Sequence, residues 1–321
     1  MPPRIGFQFP HERNAPREEI LSYIKAVDEL GYDTVFVPEA WGRDAFTTLG
    51  WIAANTRRIR LGPGIVNIFS RTPSLIAQSI ATLDEVSGGR AVLGLGTSGP
   101  VVIENWHGMK FERGLRRTEE TVEIVRLALT GARVDYDGEI FKLRNFRLGF
   151  KPLRERVPIY LASMGPKNNA LTGRIADGWT PIWLPLNGIA EARSEIGASI
   201  DIAPCVMACV TDRREEALDF IRPHVAYYVG GMGTFYRDAV ARFGFAAAAG
   251  TVHELWQAGK RKEAVHAVTD ELISSLAIAG TVEACRERLA EYRANGADMP
   301  VIVIPHGAPQ QVFMRTLETL A

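Results

Sequence analysis

Short apolar runs rich in β-branched residues alternate along the chain with longer segments whose apolar residues recur at helical spacing. The eight strand-like runs cover residues 5–9, 34–39, 59–66, 91–97, 159–163, 179–183, 200–211 and 301–305. The helical segments cover residues 17–30, 44–56, 73–86, 116–130, 168–175, a stretch from 213 onward, and 310–320. Because helical segments separate most of the strands, the pattern predicts parallel strands joined by crossover helices.

Eight such strands predict an α/β fold in which the parallel sheet closes into a (β/α)8 TIM barrel. A doubly wound open sheet is the alternative that this pattern leaves open. Strand interiors are apolar on both faces, as in the run from Ile159 to Ala162, which is typical of burial between a packed lumen and a helical shell. With 321 residues the chain can bury one large core, so residues 1–321 are interpreted as a single domain.

Two stretches depart from this rhythm. Residues 135–146 hold Asp137 and Gly138 between β-forming residues, which is the pattern of a hairpin inserted after the fourth helix. Residues 230–266 begin with a glycine-rich run, continue through an alanine tract and show several short helical patterns. They predict a helical excursion between strands seven and eight.

Composition and charge exclude several classes of partner. Lysine plus arginine and aspartate plus glutamate are 37 each, so no net field favours nucleic acid or an anionic membrane.

Cys205 and Cys209 fall on one face of a predicted strand but too far apart for a disulfide, and we expect buried reduced thiols. The histidines show no metal-ligand spacing, so no metal is expected. No leader pattern and no apolar stretch of membrane-spanning length occur, which predicts a soluble cytoplasmic protein.

The candidate chemistry is sought at the carboxyl ends of the strands, where barrel enzymes place their active sites. Glu39 directly follows strand two. Residues 62–73 form a longer connection than a simple strand–helix turn needs, and glycine at a strand end indicates close approach of the backbone to a ligand. After strand four, Glu104 and His107 fall in one loop behind a Gly-x-Gly pattern. These acids and the histidine are candidates for proton transfer.

A phosphate site is indicated after strand five. Ser163, Met164, Gly165 and Pro166 form a small-residue turn that runs straight into a helix. The free N–H groups at the start of such a helix favour an anion. Ordinary helix capping explains the same residues, and the spacing alone leaves both interpretations open.

Four segments carry a resemblance to a known family: residues 61–73, 93–97, 158–166 with 175–179, and 279–285. In this order and spacing they resemble the luciferase-like monooxygenase superfamily, and within it the branch of coenzyme F420-dependent oxidoreductases that includes methylenetetrahydromethanopterin reductase. The resemblance covers nearly the whole chain. It implies a barrel that holds the deazaflavin ring of F420 against the ends of strands three to five.

The resemblance also implies roles for individual residues. A cis peptide bond is expected at Gly64–Ile65, behind the ring. The residues expected to bind the cofactor are Gly64, Ile65, Asn67, Gly96, Thr97, Ser163, Met164, Gly165 and Pro166. The catalytic acids map to Glu39 and Glu104, with His107 as an alternate. Relatives often have Asp-His after strand two where this chain has Glu39 and Ala40, which leaves the substrate class open.

These residues predict an enzyme that transfers a hydride between C5 of F420 and a small organic substrate, with a protein group supplying the proton. The alternatives are an FMN-dependent two-component monooxygenase and a non-catalytic flavin-binding protein. F420 has carbon where flavin has N5, so it passes a hydride but does not react readily with oxygen. Relatives pair through outer helices, and the apolar helix at residues 73–86 predicts a homodimer.

Gly64 is the residue on which a cofactor role and a packing role compete. Without a Cβ it lets the chain press against a planar ring, so replacing Gly64 by Val is expected to weaken cofactor binding far more than stability. The alternative is that Gly64 only relieves crowding beside strand three. In that case binding and stability fall together.

Overall fold

The computed structural model describes residues 3–10 and 14–321, so the first two residues, on which the expectation of no leader partly rests, lie outside the described residues. In chain order the strands are β1 (Gly6–Gln8), β2 (Thr34–Val37), β3 (Arg60–Pro63), β4 (Val66–Asn67), β5 (Leu93–Gly96), β6 (Val134–Asp137), β7 (Lys142–Phe146), β8 (Ile159–Ala162), β9 (Gly178–Trp179), β10 (Asp201–Ile202), β11 (Cys205–Val210), β12 (Ala277–Gly280) and β13 (Val301–Val303). The α-helices are α1 (Arg17–Glu29), α2 (Ala45–Asn55), α3 (Pro73–Ser87), α4 (Gly114–Leu129), α5 (Pro166–Ile175), α6 (Leu186–Ile196), α7 (Arg214–Gly231), α8 (Phe235–Val240), α9 (Ala246–Gln257), α10 (Arg261–His266), α11 (Asp270–Leu276), α12 (Val282–Ala294) and α13 (Gln310–Leu320). Two short π-helical segments span Val101–Trp106 and Ala241–Phe245.

These elements form two compact units, of which one is the continuous segment Pro16–Thr180. In this unit β2 pairs in parallel with β3, with Phe36 opposite Gly62. A second group of parallel strands runs in the order β9-β8-β5-β4. Helices α1 to α5 belong to the same unit. All of the candidate site residues predicted from the sequence lie in it.

The helices of this unit begin where the sequence carries capping residues. Asp44 accepts the backbone N–H of Thr47 at 2.7 Å and so caps α2. Thr72 caps α3 in the same way, and Pro73 occupies the first turn. Helix α3 ends at Gly88, whose φ of 69° is left-handed and favours glycine. Local sequence signals therefore set the bounds of both helices.

Two glycines allow β3 and β5 to approach each other backbone to backbone. A Cβ on Gly62 would overlap the carbonyl oxygen of Val92, and a Cβ on Gly94 would overlap the carbonyl oxygen of Pro63. Because each obstacle is main chain, it cannot turn aside as the end of a flexible side chain can. The Gly-x-Gly pattern of β5 therefore has a packing reason at Gly94.

The other unit holds the chain before and after that segment. Its parallel strands run in the order β12-β11-β13-β1. The predicted excursion at residues 230–266 is confirmed as helical, because α7 runs on to Gly231 and is followed by α8, α9 and α10. These helices lie in the sequence between β11 and β12.

The inserted hairpin is confirmed as the antiparallel pair β6 and β7, in which Asp137 lies opposite Lys142. The parallel strands differ from the prediction in detail. The run at 59–66 is divided into β3 and β4, and the run at 200–211 is divided at Pro204, which has no N–H to give to a sheet. The prediction of eight strands also omitted β12, which pairs in parallel with β11.

Three further features concern membrane-spanning helices, metal sites and the cysteines. Within the described ranges, no helix is both long enough and apolar enough to cross a bilayer. Among the same residues, no group of three or more His, Cys, Asp or Glu side chains is placed to hold a metal ion. None of the three cysteines, all within the described residues, forms a disulfide; Cys205 is only partly buried, contrary to the expectation, whereas burial raises the pKa of Cys209 and of Cys285 to about 12.

Candidate cofactor and catalytic site

A pocket opens at the carboxyl ends of β5 and β8. Its volume is about 230 Å³, which includes space open to solvent. The residues that line it are Leu95, Gly96, Thr97, Thr118, Leu161, Ala162, Ser163, Asn168, Leu171 and Thr172. Three of the residues predicted to bind a cofactor, Gly96, Thr97 and Ser163, therefore share one wall.

Ser163 fixes the turn between β8 and α5. Its hydroxyl donates to Oδ1 of Asn169 at 3.1 Å and lies 3.0 Å from Oγ1 of Thr172. Its carbonyl oxygen accepts the indole N–H of Trp179 at 2.9 Å. Trp179 is 1% exposed and therefore belongs to the core. The buried polar groups of this turn satisfy one another and hold the pocket wall in place.

Met164, Gly165 and Pro166 lead from that turn into α5. Gly165 precedes the helix, no side chain caps it, and Pro166 has no N–H group. Side-chain capping, the alternative that the sequence left open, is therefore wrong for this helix. The remaining N–H groups of the first turn are left for water or a ligand, and this end of a helix favours an anion.

The peptide bond between Gly64 and Ile65 is cis, as predicted. The side chain of Ile65 faces β5, since a Cβ added to Gly96 would lie 3.2 Å from Cδ1 of Ile65. The same addition at Gly64 would place a Cβ 2.5 Å from Cβ of Phe36, a buried residue of β2. Gly64 therefore has a packing reason, and the structure supports the alternative in which stability and binding fall together.

Asn67 joins two loops of the candidate site. It is fully buried, and its Oδ1 accepts the N–H groups of Phe69 and Ser70 at 3.0 and 2.7 Å. Its amide nitrogen lies 3.4 Å from Nε2 of His107. Because an amide nitrogen can only donate, this contact is a hydrogen bond in the His107 tautomer whose Nε2 is the acceptor. The contact links the connection at residues 62–73 to the loop after β5.

Glu39 lies just beyond β2 and is held as a carboxylate by three donors. Nε and Nη2 of Arg71 each lie 2.9 Å from one of its oxygens, and the N–H of Ala45 donates to Oε2 at 2.9 Å. Arg71 also forms an ion pair with Asp44. Hydrogen bonding to Glu39 raises the pKa of Arg71 above its ordinary value.

Glu104 is exposed on the π-helical segment Val101–Trp106, where its Oε1 accepts the N–H of Phe111 at 3.3 Å. The three candidates for proton transfer thus lie in different settings. Glu39 is bound in an ion pair, Glu104 faces solvent, and His107 is partly buried against Asn67. Two of them contact a residue predicted to bind the cofactor: the backbone N–H of Glu39 donates to the carbonyl oxygen of Ile65 at 3.2 Å, and the side chain of His107 lies beside that of Asn67.

Sequence reasoning missed several polar residues of this region, namely Arg71, Thr118, Asn168 and Thr172. Arg71 stands directly before the Thr72–Pro73 helix start, and a cation in an otherwise apolar connection was a signal for an acidic partner. The other three lie within α4 and α5. Helical periodicity gives no sign that one turn of a helix faces a pocket.

Comparison with known proteins identifies the family. The profile of the luciferase-like monooxygenase family matches residues 5–299, and the chain belongs to this family. A Mycobacterium tuberculosis protein, named provisionally as a coenzyme F420-dependent oxidoreductase, is 34% identical over 96% of each chain. The 5,10-methylenetetrahydromethanopterin reductase of Archaeoglobus fulgidus is 32% identical over 90% of each chain.

A solved structure shows the fold. The coenzyme F420-dependent tetrahydromethanopterin reductase of Methanopyrus kandleri superposes with a TM-score of 0.85 over 99% of this chain and 97% of its own, at 22% identity. The likeness confirms the (β/α)8 barrel fold that the alternating strands and helices predicted. The open doubly wound sheet is thereby excluded.

Proposed function

We propose that the protein is an F420-dependent oxidoreductase that transfers a hydride between the cofactor and a small organic substrate. The observation that carries the proposal is the F420 dependence named in the Mycobacterium tuberculosis relative, which is 34% identical and matches 96% of this chain. The uncapped start of α5, beside the small pocket at the ends of β5 and β8, fits an anionic group of such a cofactor and is shared with the FMN alternatives.

The residues present fit such a cofactor. The start of α5, from Gly165 onward, would hold its phosphate, because the first N–H groups of that helix have no side-chain partner. Gly96 keeps the pocket wall open, since a Cβ there would press on Ile65 and Ala162. Ile65, Asn67 and the Thr97 region would hold the ring. When bound, F420 supplies a hydride donor or acceptor at C5.

The protein's own contribution to the reaction is orientation and a proton. The amide of Asn67 lies beside Nε2 of His107, which would orient the ring and leave Nδ1 for proton exchange, an arrangement suited to a general acid or base. Glu39 is a fixed anion that ties β2, the start of α2 and Arg71 together. We therefore assign proton transfer to His107, positioning to Glu39, and keep Glu104 as the alternate acid.

An FMN-dependent two-component monooxygenase and a non-catalytic flavin-binding protein would use the same pocket. A direct comparison of cofactors separates the first alternative from the proposal. Apo protein titrated separately with F420 and FMN, and followed by intrinsic tryptophan fluorescence, is expected to bind F420 at least tenfold more tightly, which is about 1.4 kcal/mol. Tighter binding of FMN by the same factor would overturn the proposal. F420 binding without turnover of any acceptor would favour the non-catalytic protein.

We further propose a homodimer that works in the cytoplasm as one luciferase-like domain, since the family profile spans both compact units. Helix α3 buries Ile76, Ile80 and Leu83 within the chain and leaves Leu75 and Val86 exposed for an interface. Sedimentation at micromolar concentration is expected to give twice the chain mass of 35.4 kDa. A mass near that of one chain would refute the dimer.

A further inference from the structure

Four side chains form a continuous stack beside the candidate site. The rings of Phe69 and Phe111 lie 5.3 Å apart, between centroids, at 27°. The guanidinium carbon of Arg117 lies 4.9 Å from the centroid of Phe69 and 5.2 Å from that of Phe141. The stack therefore joins the connection at residues 62–73, helix α4 and the inserted hairpin.

The hairpin end of the stack is anchored by a buried carboxylate. Glu120 of α4 is fully buried and accepts the N–H groups of Glu139, Ile140 and Phe141 at 2.8 to 3.1 Å. A Cβ on Gly138 would overlap this carboxylate, so the turn needs glycine there. Charge-assisted hydrogen bonds of this kind fix the backbone of the turn and with it the ring of Phe141.

The other end of the stack carries the groups assigned to cofactor binding and proton transfer. Phe69 is held by Asn67, whose amide nitrogen contacts His107. Phe111 lies on the same loop as His107 and donates its N–H to Glu104. A shift of either ring would therefore move residues on both sides of the Asn67–His107 contact.

Arg117 contributes stacking rather than an ion pair to this arrangement. Its Nε is buried and has no hydrogen-bond partner among the described residues. Burial lowers the pKa of its guanidinium below the ordinary value for arginine. A cation between two aromatic faces is stabilised by both rings, and the stabilisation is larger where water is excluded.

We infer that Arg117 is a positioning residue, which couples the hairpin to the Asn67–His107 contact and so preorganises the candidate cofactor site. The inference rests on the proposed function of that site. The hairpin would then be part of the binding machinery, although neither of its strands lines the pocket. Side chains that are already ordered in the apo protein lose less conformational entropy when the cofactor binds, which favours binding.

Amide hydrogen exchange of the apo protein tests the coupling without any cofactor. The amides to follow are those of Phe69 and Ser70, which donate to Asn67. Both Arg117→Met and Phe141→Ala are expected to raise their exchange rates at least tenfold. Phe146→Ala is the matched control, because Phe146 lies in β7 of the same hairpin and is 77% exposed. Unchanged exchange in Arg117→Met and Phe141→Ala would overturn the inference.

Cofactor affinity gives a second readout. Arg117→Met is expected to weaken F420 binding about tenfold, and Arg117→Lys is expected to restore part of the affinity. Equal F420 affinity in Arg117→Met and wild type would contradict the inference. A wild-type protein that does not bind F420 would instead contradict the proposed function, and the exchange experiment would still decide the coupling. If Arg117→Met does not fold, Phe141→Ala carries both tests, and Arg117→Lys is the conservative variant expected to lose less.

Discussion

Replacing Gly64 by Ala is expected to destabilise the protein by about 3 kcal/mol, or roughly 5 °C in melting temperature. The added Cβ would lie 2.5 Å from Cβ of Phe36 and 3.1 Å from its Cγ, so the root of a buried side chain has to move. Thermal unfolding of the apo protein, followed by circular dichroism, measures the effect. Cofactor affinity is expected to fall in the same variant, because the displaced backbone includes Ile65.

Gly99→Ala is the matched control for this substitution. Gly99 also follows a strand near the pocket, but a Cβ there would meet nothing within 4 Å. Its melting temperature is expected to stay within about 1 °C of wild type. A Gly64→Ala protein that kept its melting temperature and lost only F420 binding would restore the cofactor role expected from the sequence.

His107→Gln is expected to lower kcat by about a hundredfold, because general acid–base catalysis contributes at least this factor in many enzymes. Glutamine can still face Asn67 but has no group that titrates near neutral pH. The dissociation constant for F420 is expected to stay within about twofold of wild type. Steady-state kinetics at saturating F420 measures the loss.

The substitution Glu104→Gln tests whether Glu104, rather than His107, transfers the proton. Glu104 is exposed, and the hydrogen bond that its side chain accepts from the N–H of Phe111 can also be accepted by an amide oxygen. Its kcat is expected to stay within about threefold of wild type. A large loss of kcat in Glu104→Gln together with a normal kcat in His107→Gln would assign proton transfer to Glu104 instead of His107.

The fold was largely predictable because its signals are local. Asp44, Thr72 and Gly88 mark helix ends by their own chemistry, and Asp137 with Gly138 marks the hairpin. Strand β12 escaped prediction because Ala277–Gly280 is short, contains a single β-branched residue and follows α11 without a turn. Periodicity cannot separate such a run from the end of a helix.

The candidate site was predictable in its location and less so in its contacts. Gly96, Thr97 and Ser163 were predicted, and they lie in one pocket wall. The partners of Glu39 and Gly64 were not predicted, because Arg71 and Phe36 reach them from other segments of the chain. Pairing across strands depends on register, which a single sequence specifies only through the whole fold.

The backbone contacts at Gly62 and Gly94 restrict how this protein can change over evolution. The two residues of an ion pair such as Glu39–Arg71 can both be substituted during evolution, because a change in one side chain can be compensated by a change in the other. At Gly62 and Gly94 the neighbour is a carbonyl group, which every amino acid carries. No second mutation can remove it, so descendants of this chain keep glycine at both positions or must rebuild the path of two strands.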